Sequence, residues 1–453
     1  MKIMVLNIPP NVQREECCWG PLGKWKAFPF LLAHIVTVLE KEVDVGFFDA
    51  NCENATLKDV ETMLSKEKPD AIVCSLTPQY MPLEAKISNF CVKNGIQCIC
   101  IPIPFDSAEK VVQKYDFHFA IYSEPEKTLI DWCRGTNLEN LRGIAYKTGK
   151  KVIKNPPQQL YFSRCPPINW DRFDLKKYDS ISYQIARGCP YGCVFCVWAN
   201  KPWQLKPIET VLTDLANLER RGIWSVYLLC AQITTDKKWL YSFCREKIER
   251  GIRILWRSDI RANEVTRESI RLMRDAGCVG LYMGVESFNQ KILNKINKKL
   301  TVDQILNAIR ICIAEGIPLT FPIMFNIGES EKEIIEYIRF IKEIKIPFIN
   351  SGIVKAYVGT KLYNEIVSIN SPYILDMGVV PILTNKDLLN AQRNLMLFRK
   401  EKKKLFPLRA VCKLWWLVTN RGRRRVFLSI LGRVGIRKSI RSIFFSIVNL
   451  YHK

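Results

Sequence analysis

The sequence predicts an α/β fold in two parts: a Rossmann-like, doubly wound parallel sheet over residues 1–135 and a partial (β/α)6 barrel over residues 181–356. In both regions, short apolar runs alternate with segments of helical periodicity, and this alternation is typical of parallel sheets covered by helices. Residues 136–180 are richer in proline, asparagine and charge, so they are expected to form a linker. Residues 357–453 are expected to form a helical, strongly basic extension.

In the first region, apolar runs that end at turn residues predict the strands, and segments of 3.6-residue periodicity predict the helices. The predicted strands are Lys2–Ile8, Asp44–Phe48, Ala71–Cys74 and Gln97–Ile101, and the predicted helices are Phe28–Leu39, Leu57–Leu64 and Leu83–Lys93. Sheets of this kind bind ligands at the carboxyl ends of their strands. No G-x-G-x-x-G follows the first strand, so a dinucleotide site is not expected.

The second region continues the alternation with six strand-like runs and five helical segments. The predicted strands are Ser182–Ala186, Ser225–Leu229, Arg253–Trp256, Gly280–Val285, Leu319–Phe325 and Ile349–Val354. The predicted helices are Ile208–Arg221, Lys237–Arg250, Arg267–Ala276, Val302–Ala314 and Glu331–Ile344. Six β/α units are fewer than the eight that close a barrel, so the sequence predicts an open, partial barrel.

The positive charge of the chain is concentrated near its carboxyl end. The 453 residues include 68 Lys and Arg against 44 Asp and Glu, and the segment 399–453 contains 16 of the basic residues and one acid, Glu401. Basic clusters interleaved with Trp, Phe, Ile and Leu fit a peripheral helix on an anionic membrane. The alternatives are a solvated helical cap on the barrel and, less favoured, RNA binding through phosphates.

Targeting signals are not evident in the sequence. No run of about 18 apolar residues predicts a transmembrane helix, and the amino terminus has no apolar core of a secretory signal. The expected location is therefore the cytoplasm, with peripheral contact at the inner face of the membrane through the basic tail. In that compartment the 17 cysteines are expected to be reduced, most of them as core residues.

Three of these cysteines, Cys189, Cys193 and Cys196, follow a predicted strand at C-x3-C-x2-C spacing. Three thiolates on one loop can hold three irons of a [4Fe–4S] cube and leave the fourth iron open for another ligand. A structural zinc site would need a fourth protein ligand, and no companion C-x2-C or His pair follows. Three reduced core cysteines are the alternative that the spacing alone permits.

The Arg-Gly-Cys-Pro-Tyr context that begins at Arg187 makes the chain resemble the radical S-adenosylmethionine (SAM) enzymes. The resemblance is closest to the branch with an amino-terminal cobalamin-binding domain, and it covers residues 1 to about 350. It implies that Cys189, Cys193 and Cys196 bind the cluster and that SAM chelates the open iron. One electron from the cluster would then cleave SAM to a 5′-deoxyadenosyl radical.

The resemblance also implies SAM contacts downstream of the cysteines. Glu286, in a Gly-Val-Glu-Ser sequence at the end of a barrel strand, is implied to contact SAM; a core-paired or helix-capping glutamate is the alternative. Arg261 matches the family's arginine after the third barrel strand and is implied to bind SAM or substrate. A surface ion pair is the alternative for Arg261.

Two further positions correspond to SAM-binding regions of the family. Gly328 lies in the motif after the fifth barrel strand, where the family's backbone runs along the adenine and glycine permits a close approach; an ordinary turn is the alternative. After the second strand, where the family usually has an acidic cluster, this chain has Gln232 and Thr234. Either side chain could bind polar parts of SAM.

For cobalamin, the resemblance implies contacts from Ser75 and Thr77 to the nucleotide tail, with a turn or capping role as the alternative. Two glycine-rich stretches of the family are replaced here by Pro102–Phe105 and Ser123–Glu126. Side chains at those places could collide with the flat corrin. The family's D-x-H-x-x-G is absent after the first strand, so no histidine is expected beneath the cobalt.

The main hypothesis is a radical SAM enzyme that uses cobalamin to methylate an unactivated carbon of a small-molecule, lipid or tetrapyrrole-like substrate. Its electron donor would be a protein such as flavodoxin or ferredoxin. The alternatives are a radical SAM cyclase or isomerase without bound cobalamin, an RNA methylthiotransferase, and a non-catalytic iron–sulfur scaffold. The intact cysteines disfavour the scaffold, and the strand order of the first region disfavours the methylthiotransferase.

Overall fold

The computed structural model describes residues 1–8, 26–76, 81–325, 330–344, 349–354, 356–368, 379–380, 393 and 395–398. The basic clusters of the predicted carboxy-terminal extension therefore lie outside the described residues. Among the helices that are described, none is both long and apolar enough to cross a membrane.

The first domain is built on a parallel sheet whose strands follow the predicted apolar runs. Its parallel strands are β1 (Lys2–Asn7), β2 (Asp44–Asp49), β3 (Ala71–Leu76), β4 (Gln97–Pro102) and β5 (Phe119–Ile121). Its helices are α1 (Phe30–Leu39), α2 (Leu57–Glu67), α3 (Met81–Lys93), α4 (Ala108–Lys114) and α5 (Pro125–Cys133). The order β2-β1-β3-β4-β5 reverses at β1, which is the doubly wound arrangement that the sequence predicts.

The sheet continues into the segment for which the sequence predicts a linker. β6 (Ile144–Thr148) and β7 (Lys151–Lys154) form an antiparallel hairpin on the edge of β5. β6 buries only its first three residues and β7 buries none, so neither strand has the continuous apolar run that indicates a buried strand. The sheet therefore extends to Lys154, beyond the boundary at residue 135 that the sequence suggests.

The second domain begins with β8 (Ser182–Gln184) and an antiparallel pair, β9 (Ala186–Cys189) and β10 (Lys201–Leu205). The later strands are β11 (Ser225–Leu229), β12 (Leu255–Ile260), β13 (Cys278–Met283), β14 (Leu319–Phe325) and β15 (Ile349–Ile353). The helices are α6 (Ile208–Arg220), α7 (Lys237–Glu249), α8 (Arg267–Asp275), α9 (Gln290–Lys295), α10 (Val302–Ala314) and α11 (Glu331–Ile344). The short elements β16 (Ala356–Tyr357), α12 (Lys361–Ser368) and β17 (Val379–Val380) follow.

The spatial order of the main strands in the second domain is the same as their chain order. β8, β11, β12, β13, β14 and β15 form one six-stranded sheet in that sequence, and every neighbouring pair is parallel. All six predicted strands and five predicted helices are present. The open sheet of six β/α units confirms the predicted partial barrel.

Helix α1 lies between the two domains. All its residues from Leu31 to Leu39 are buried, and the helix contacts α5 of the first domain and β8 of the second. A helix that is apolar on all sides is typical of a segment enclosed by protein. Residues of both sheets, such as Val5 in β1 and Leu228 in β11, belong to one continuous apolar core. The two domains therefore share a core around α1.

Candidate functional site

The cysteine loop, residues 189–200, connects β9 to β10. Cys189 is the last residue of β9, and Cys193 and Cys196 follow on the loop. Cys189 and Cys193 are buried, Cys196 is half-buried, and all three are free of disulfide bonds. The structure therefore places the three predicted iron ligands on one short loop at the start of the second domain.

Hydrogen bonds hold the cysteine loop from two sides. On one side, the Val194 amide donates to the Ile296 carbonyl oxygen at 3.1 Å, and the Asn297 side-chain amide donates to the Gly192 carbonyl oxygen at 2.7 Å. On the other side, the Leu362 amide donates to the Val194 carbonyl oxygen at 2.9 Å. The loop is therefore fixed by the segment after α9 and by α12, and the cysteines are presented in a defined frame.

Gly188, directly before the first cysteine, is required by the close pairing of β9 and β10. Its φ is +82°, and a Cβ atom there would lie 2.0 Å from the Pro202 carbonyl oxygen. Such a distance is far below any real contact, so no other residue fits without moving the backbone. This explains in physical terms why glycine precedes Cys189.

The cysteine loop has the donor set that a [4Fe–4S] cube requires. No three His, Cys, Asp or Glu side chains in the described part of the chain are arranged to hold a single metal ion. In a cube each thiolate binds a different iron, so the three sulfurs need not converge on one point. Burial raises the pKa of Cys189, and it raises the pKa of Cys196 to about 11. Cysteines bind iron as thiolates, so cluster binding releases protons.

Glu286 follows β13 and is held in an unusual conformation. Its φ is +68°, which is rare for a residue other than glycine. Its backbone is hydrogen-bonded to β14 twice: the Glu286 amide donates to the Pro322 carbonyl oxygen at 3.0 Å, and the Glu286 carbonyl oxygen accepts from the Met324 amide at 2.9 Å. The buried carboxylate pairs with Lys298, Oε1 to Nζ, at 3.0 Å. Backbone strain of this kind concentrates at functional sites.

Arg261 follows β12 and is buried, at 4% exposure, rather than on the surface. Its guanidinium lies 3.7 Å from the centre of the Tyr191 ring in the cysteine loop, as a cation–π contact. It also donates to the Lys298 carbonyl oxygen, and to that of Lys299 at 3.4 Å. The Nε donor has no acceptor among the described residues, so it is available to a ligand.

Gln232 follows β11 and is also buried. Its side-chain Nε2 has no acceptor among the described residues, which is unusual for a buried amide. Thr234 is occupied instead: its hydroxyl donates to Glu264 at 2.7 Å and accepts from the Arg261 amide at 3.3 Å. Tyr191 of the cysteine loop also donates to Glu264.

The carboxyl ends of β11, β12 and β13 therefore contribute Gln232, Arg261 and Glu286 to one edge of the sheet. The Arg261–Tyr191 contact joins this edge to the cysteine loop. The sequence does not indicate that Lys298 is buried or belongs to the site, because a run of lysines after a short helix normally lies on a solvated surface. Only the buried carboxylate that Lys298 faces shows its role.

The remaining predicted contacts are not brought to this edge. Gly328 and Thr77 lie outside the described residues. Ser75 is the penultimate residue of β3 in the first sheet and is half-buried. It belongs to the carboxyl edge of the first domain, where the sequence places it.

A cavity of about 390 Å³ separates the carboxyl edge of the first sheet from the cysteine loop. Phe105 and Asp106 line it from the loop after β4, Ser123 from the loop after β5, and Val197 and Trp198 from the cysteine loop. The Phe105 and Trp198 rings pack edge to face, with centroids 5.8 Å apart. The described lining contains no histidine. The cavity also has charged residues in its wall, among them Lys154, Arg187 and Lys201, and it lies beside the two residues that directly follow Cys196.

Comparisons with known proteins agree with this geometry. The sequence model of the radical SAM superfamily matches residues 183–341. An uncharacterized methyltransferase of Pyrococcus horikoshii is 26% identical over 392 residues, which are 82% of this chain and 84% of that protein. The anaerobic magnesium-protoporphyrin IX monomethyl ester cyclase of Cereibacter sphaeroides is 23% identical over 69% of this chain, and the match spans 56% of the cyclase.

Two solved structures share the fold of both domains. One is TsrM of Kitasatospora setae, a radical SAM methyltransferase solved with cobalamin and a [4Fe–4S] cluster. It superposes with a TM-score of 0.68 at 15% sequence identity, and the match covers 81% of this chain and 74% of TsrM. The other is OxsB, a cobalamin-dependent SAM radical enzyme solved with aqua-cobalamin and SAM. It superposes with a TM-score of 0.72 at 16% sequence identity, and the match covers 100% of this chain and 79% of OxsB. The cysteine loop and most of the β/α sheet therefore lie in a region that matches the radical SAM superfamily, and the chain has the two-domain fold of these solved structures.

Proposed function

We propose that the chain is a radical SAM enzyme that cleaves SAM reductively at a [4Fe–4S] cluster and uses cobalamin to methylate an unactivated carbon. The substrate class is a small molecule, a lipid or a tetrapyrrole-like compound. One observation carries the proposal: the cysteine loop forms one wall of the cavity whose opposite wall is the carboxyl edge of a doubly wound sheet. Doubly wound sheets bind ligands at that edge.

The residues of the site divide into ligands for iron and contacts for SAM. When bound, the cluster supplies one electron, SAM supplies the adenosyl group, and cobalamin carries the methyl group. Cys189, Cys193 and Cys196 would hold three irons. Arg261 and Gln232, with buried donors that lack acceptors among the described residues, would bind the polar groups of SAM. Glu286, oriented by Lys298, would accept hydrogen bonds from SAM hydroxyls.

A second candidate, a radical SAM cyclase without bound cobalamin, is favoured by two observations. The cyclase relative matches this chain over 69% of its length. The stretch Pro102–Phe105, which replaces a glycine-rich stretch of the family, contributes the side chains of Ile103 and Phe105 to the cavity wall, and the Phe105 ring packs against Trp198. Cobalamin content therefore separates the two candidates.

The test is anaerobic reconstitution of the full chain with iron, sulfide and hydroxocobalamin, followed by reduction with dithionite in the presence of SAM. We expect about four irons per chain, one bound corrinoid and release of 5′-deoxyadenosine. C193A should lose the cluster and the cleavage, because a cube needs all three thiolates. C91A, which removes a buried cysteine of α3, is the matched control and should retain both.

The outcomes separate the hypotheses. A cluster with SAM cleavage but no corrinoid would overturn cobalamin-dependent methylation and support the cyclase. About eight irons per chain would indicate a second cluster and a methylthiotransferase. A wild-type protein that releases no more 5′-deoxyadenosine than C193A would overturn the enzyme proposal altogether.

A radical SAM enzyme needs a reductant and a substrate. We further propose that the reductant is a flavodoxin- or ferredoxin-type protein and that the segment 399–453 contacts anionic membranes. The membrane proposal is supported by the 16 basic residues of that segment, at about 1 kcal/mol each near an anionic surface. Sedimentation with phosphatidylglycerol vesicles should capture the protein at low salt and release it at high salt. Equal capture by neutral phosphatidylcholine vesicles would contradict the proposal.

A further inference from the structure

A buried group of opposite charges connects the cysteine-loop strand to the first domain. Arg187 of β9 and Glu126 of α5 form a two-bond pair, with Nη1 to Oε2 at 3.0 Å and Nη2 to Oε1 at 2.8 Å. Their side chains are 5% and 0% exposed. The pair joins the two domains, because α5 belongs to the first and β9 to the second.

Glu124 adds a second carboxylate to this group. Its Oε2 lies 3.6 Å from Arg187 Nη1 and accepts from the amides of Tyr161 and Phe162 at 2.9 Å, and its Oε1 accepts from Gln204 Nε2 at 2.8 Å. These bonds fix Glu124 in place. Both carboxylates belong to the stretch Ser123–Glu126, in which the family's glycines are replaced and its glutamates are kept.

Lys206 of the second domain adds a second positive charge near the Arg187–Glu126 pair. Lys206 is buried, and its ammonium and the Arg187 guanidinium lie 5.6 and 4.3 Å from the centre of the Phe162 ring. Two buried cations therefore stand against two buried carboxylates. In an interior of low dielectric such charges are screened weakly and act over longer distances than in water.

The charged group lies close to the first iron ligand. Arg187 is two residues before Cys189 in β9, so their Cα atoms are at most about 7 Å apart. The backbone between them is fixed, since β9 pairs with β10 through Arg187 opposite Gln204 and Cys189 opposite Lys201. The reduction potential of an iron–sulfur cluster depends on net charge and hydrogen bonds around it.

We infer that Arg187 is a positioning residue that fixes Cys189 relative to the first domain, and that the balance between Arg187 and its two carboxylates sets the reduction potential of the cluster. This inference rests on the proposed function, because it requires the cluster. Neutralising Glu126 leaves more of the Arg187 charge uncompensated. That charge favours the reduced cluster, which is more negative, so the potential rises. Removing the Arg187 charge has the opposite effect.

The test is an anaerobic redox titration of the reconstituted full chain, followed by electron paramagnetic resonance of the reduced cluster. E126Q should shift the midpoint potential upward, R187M should shift it downward, and the double variant should return it toward the wild-type value. R187K keeps the charge and should stay near wild type. If E126Q does not retain a cluster, E124Q is the replacement and should also shift the potential upward.

The control is E42Q, which breaks the two-bond pair between Arg134 and Glu42 on the surface of the first domain. It should leave the midpoint potential unchanged. An unchanged potential in E126Q, or shifts in the same direction in E126Q and R187M, would overturn the inference. A wild-type protein without any cluster would instead overturn the proposed function, so the two failures are distinguishable.

Discussion

At the residue scale, Gly188 shows how strongly the cysteine loop depends on one backbone position. A Cβ atom there would meet a backbone carbonyl, which cannot turn away as a flexible side chain can. The positive φ adds a steric cost for any L side chain. The substitution therefore acts directly on the start of the iron-binding loop.

We predict that G188A lowers the free energy of unfolding by about 3 kcal/mol, since it combines backbone strain with a clash. It should also lower the iron content after reconstitution, because Cys189 moves with the strand. Urea unfolding of the reduced apoprotein and iron analysis measure the two effects.

The matched control is G149A in the turn between β6 and β7. Gly149 also has a positive φ, +58°, but a Cβ atom added there would have no described neighbour within 4 Å. G149A should cost about 1 kcal/mol and leave the iron content unchanged. Equal costs for the two variants would show that the contact with Pro202 is unimportant.

The site residues differ in how far the sequence reveals them. The three cysteines are predicted by spacing, because thiolate chemistry requires a fixed set of residues on one loop. Lys298 is not predictable in this way. A buried lysine depends on a carboxylate that approaches from β13 in the folded protein, and no local pattern encodes that pairing.

At the element scale, the predictions succeed where burial imposes a simple period. Strands of the second sheet are covered by helices, so they appear as apolar runs, and Ser225–Leu229 and Leu319–Phe325 match the structure residue for residue. β6 and β7 do not appear as apolar runs, because lysines occupy exposed positions in both strands. Beyond the first three residues of β6, which are buried, the hairpin is held by pairing with β5, and pairing between distant segments leaves little trace in sequence.

At the scale of the whole molecule, the domains meet through polar groups as well as through α1. Lys206, which follows β10, is fully buried, and its Nζ lies 3.4 Å from His34 Nδ1 in α1 and 3.4 Å from the Tyr183 hydroxyl in β8. Burial lowers the pKa of Lys206 to about 8, although Asp214 opposes this shift. Burial also lowers the pKa of His34. Lys206 is therefore charged at neutral pH, and the contact between the domains is most stable above about pH 8, where both groups are neutral.

This arrangement predicts that the contribution of Lys206 to the free energy of unfolding rises with pH. The pKa of Lys206 lies near 8 in the folded protein and near 10.4 in the unfolded chain, so between these values the unfolded chain binds a proton that the folded protein does not. The contribution of Lys206 to the unfolding free energy should therefore increase between pH 8 and 10, and K206M should lack this contribution. The difference in unfolding free energy between wild type and K206M is expected to change by about 2 kcal/mol over that range.

Urea unfolding of the reduced apoprotein at several pH values measures this difference, and K238M, at an exposed position, is the control. A difference that stays constant from pH 8 to 10 would show that Lys206 remains charged in the folded protein, and the neutral contact between the domains would then be wrong.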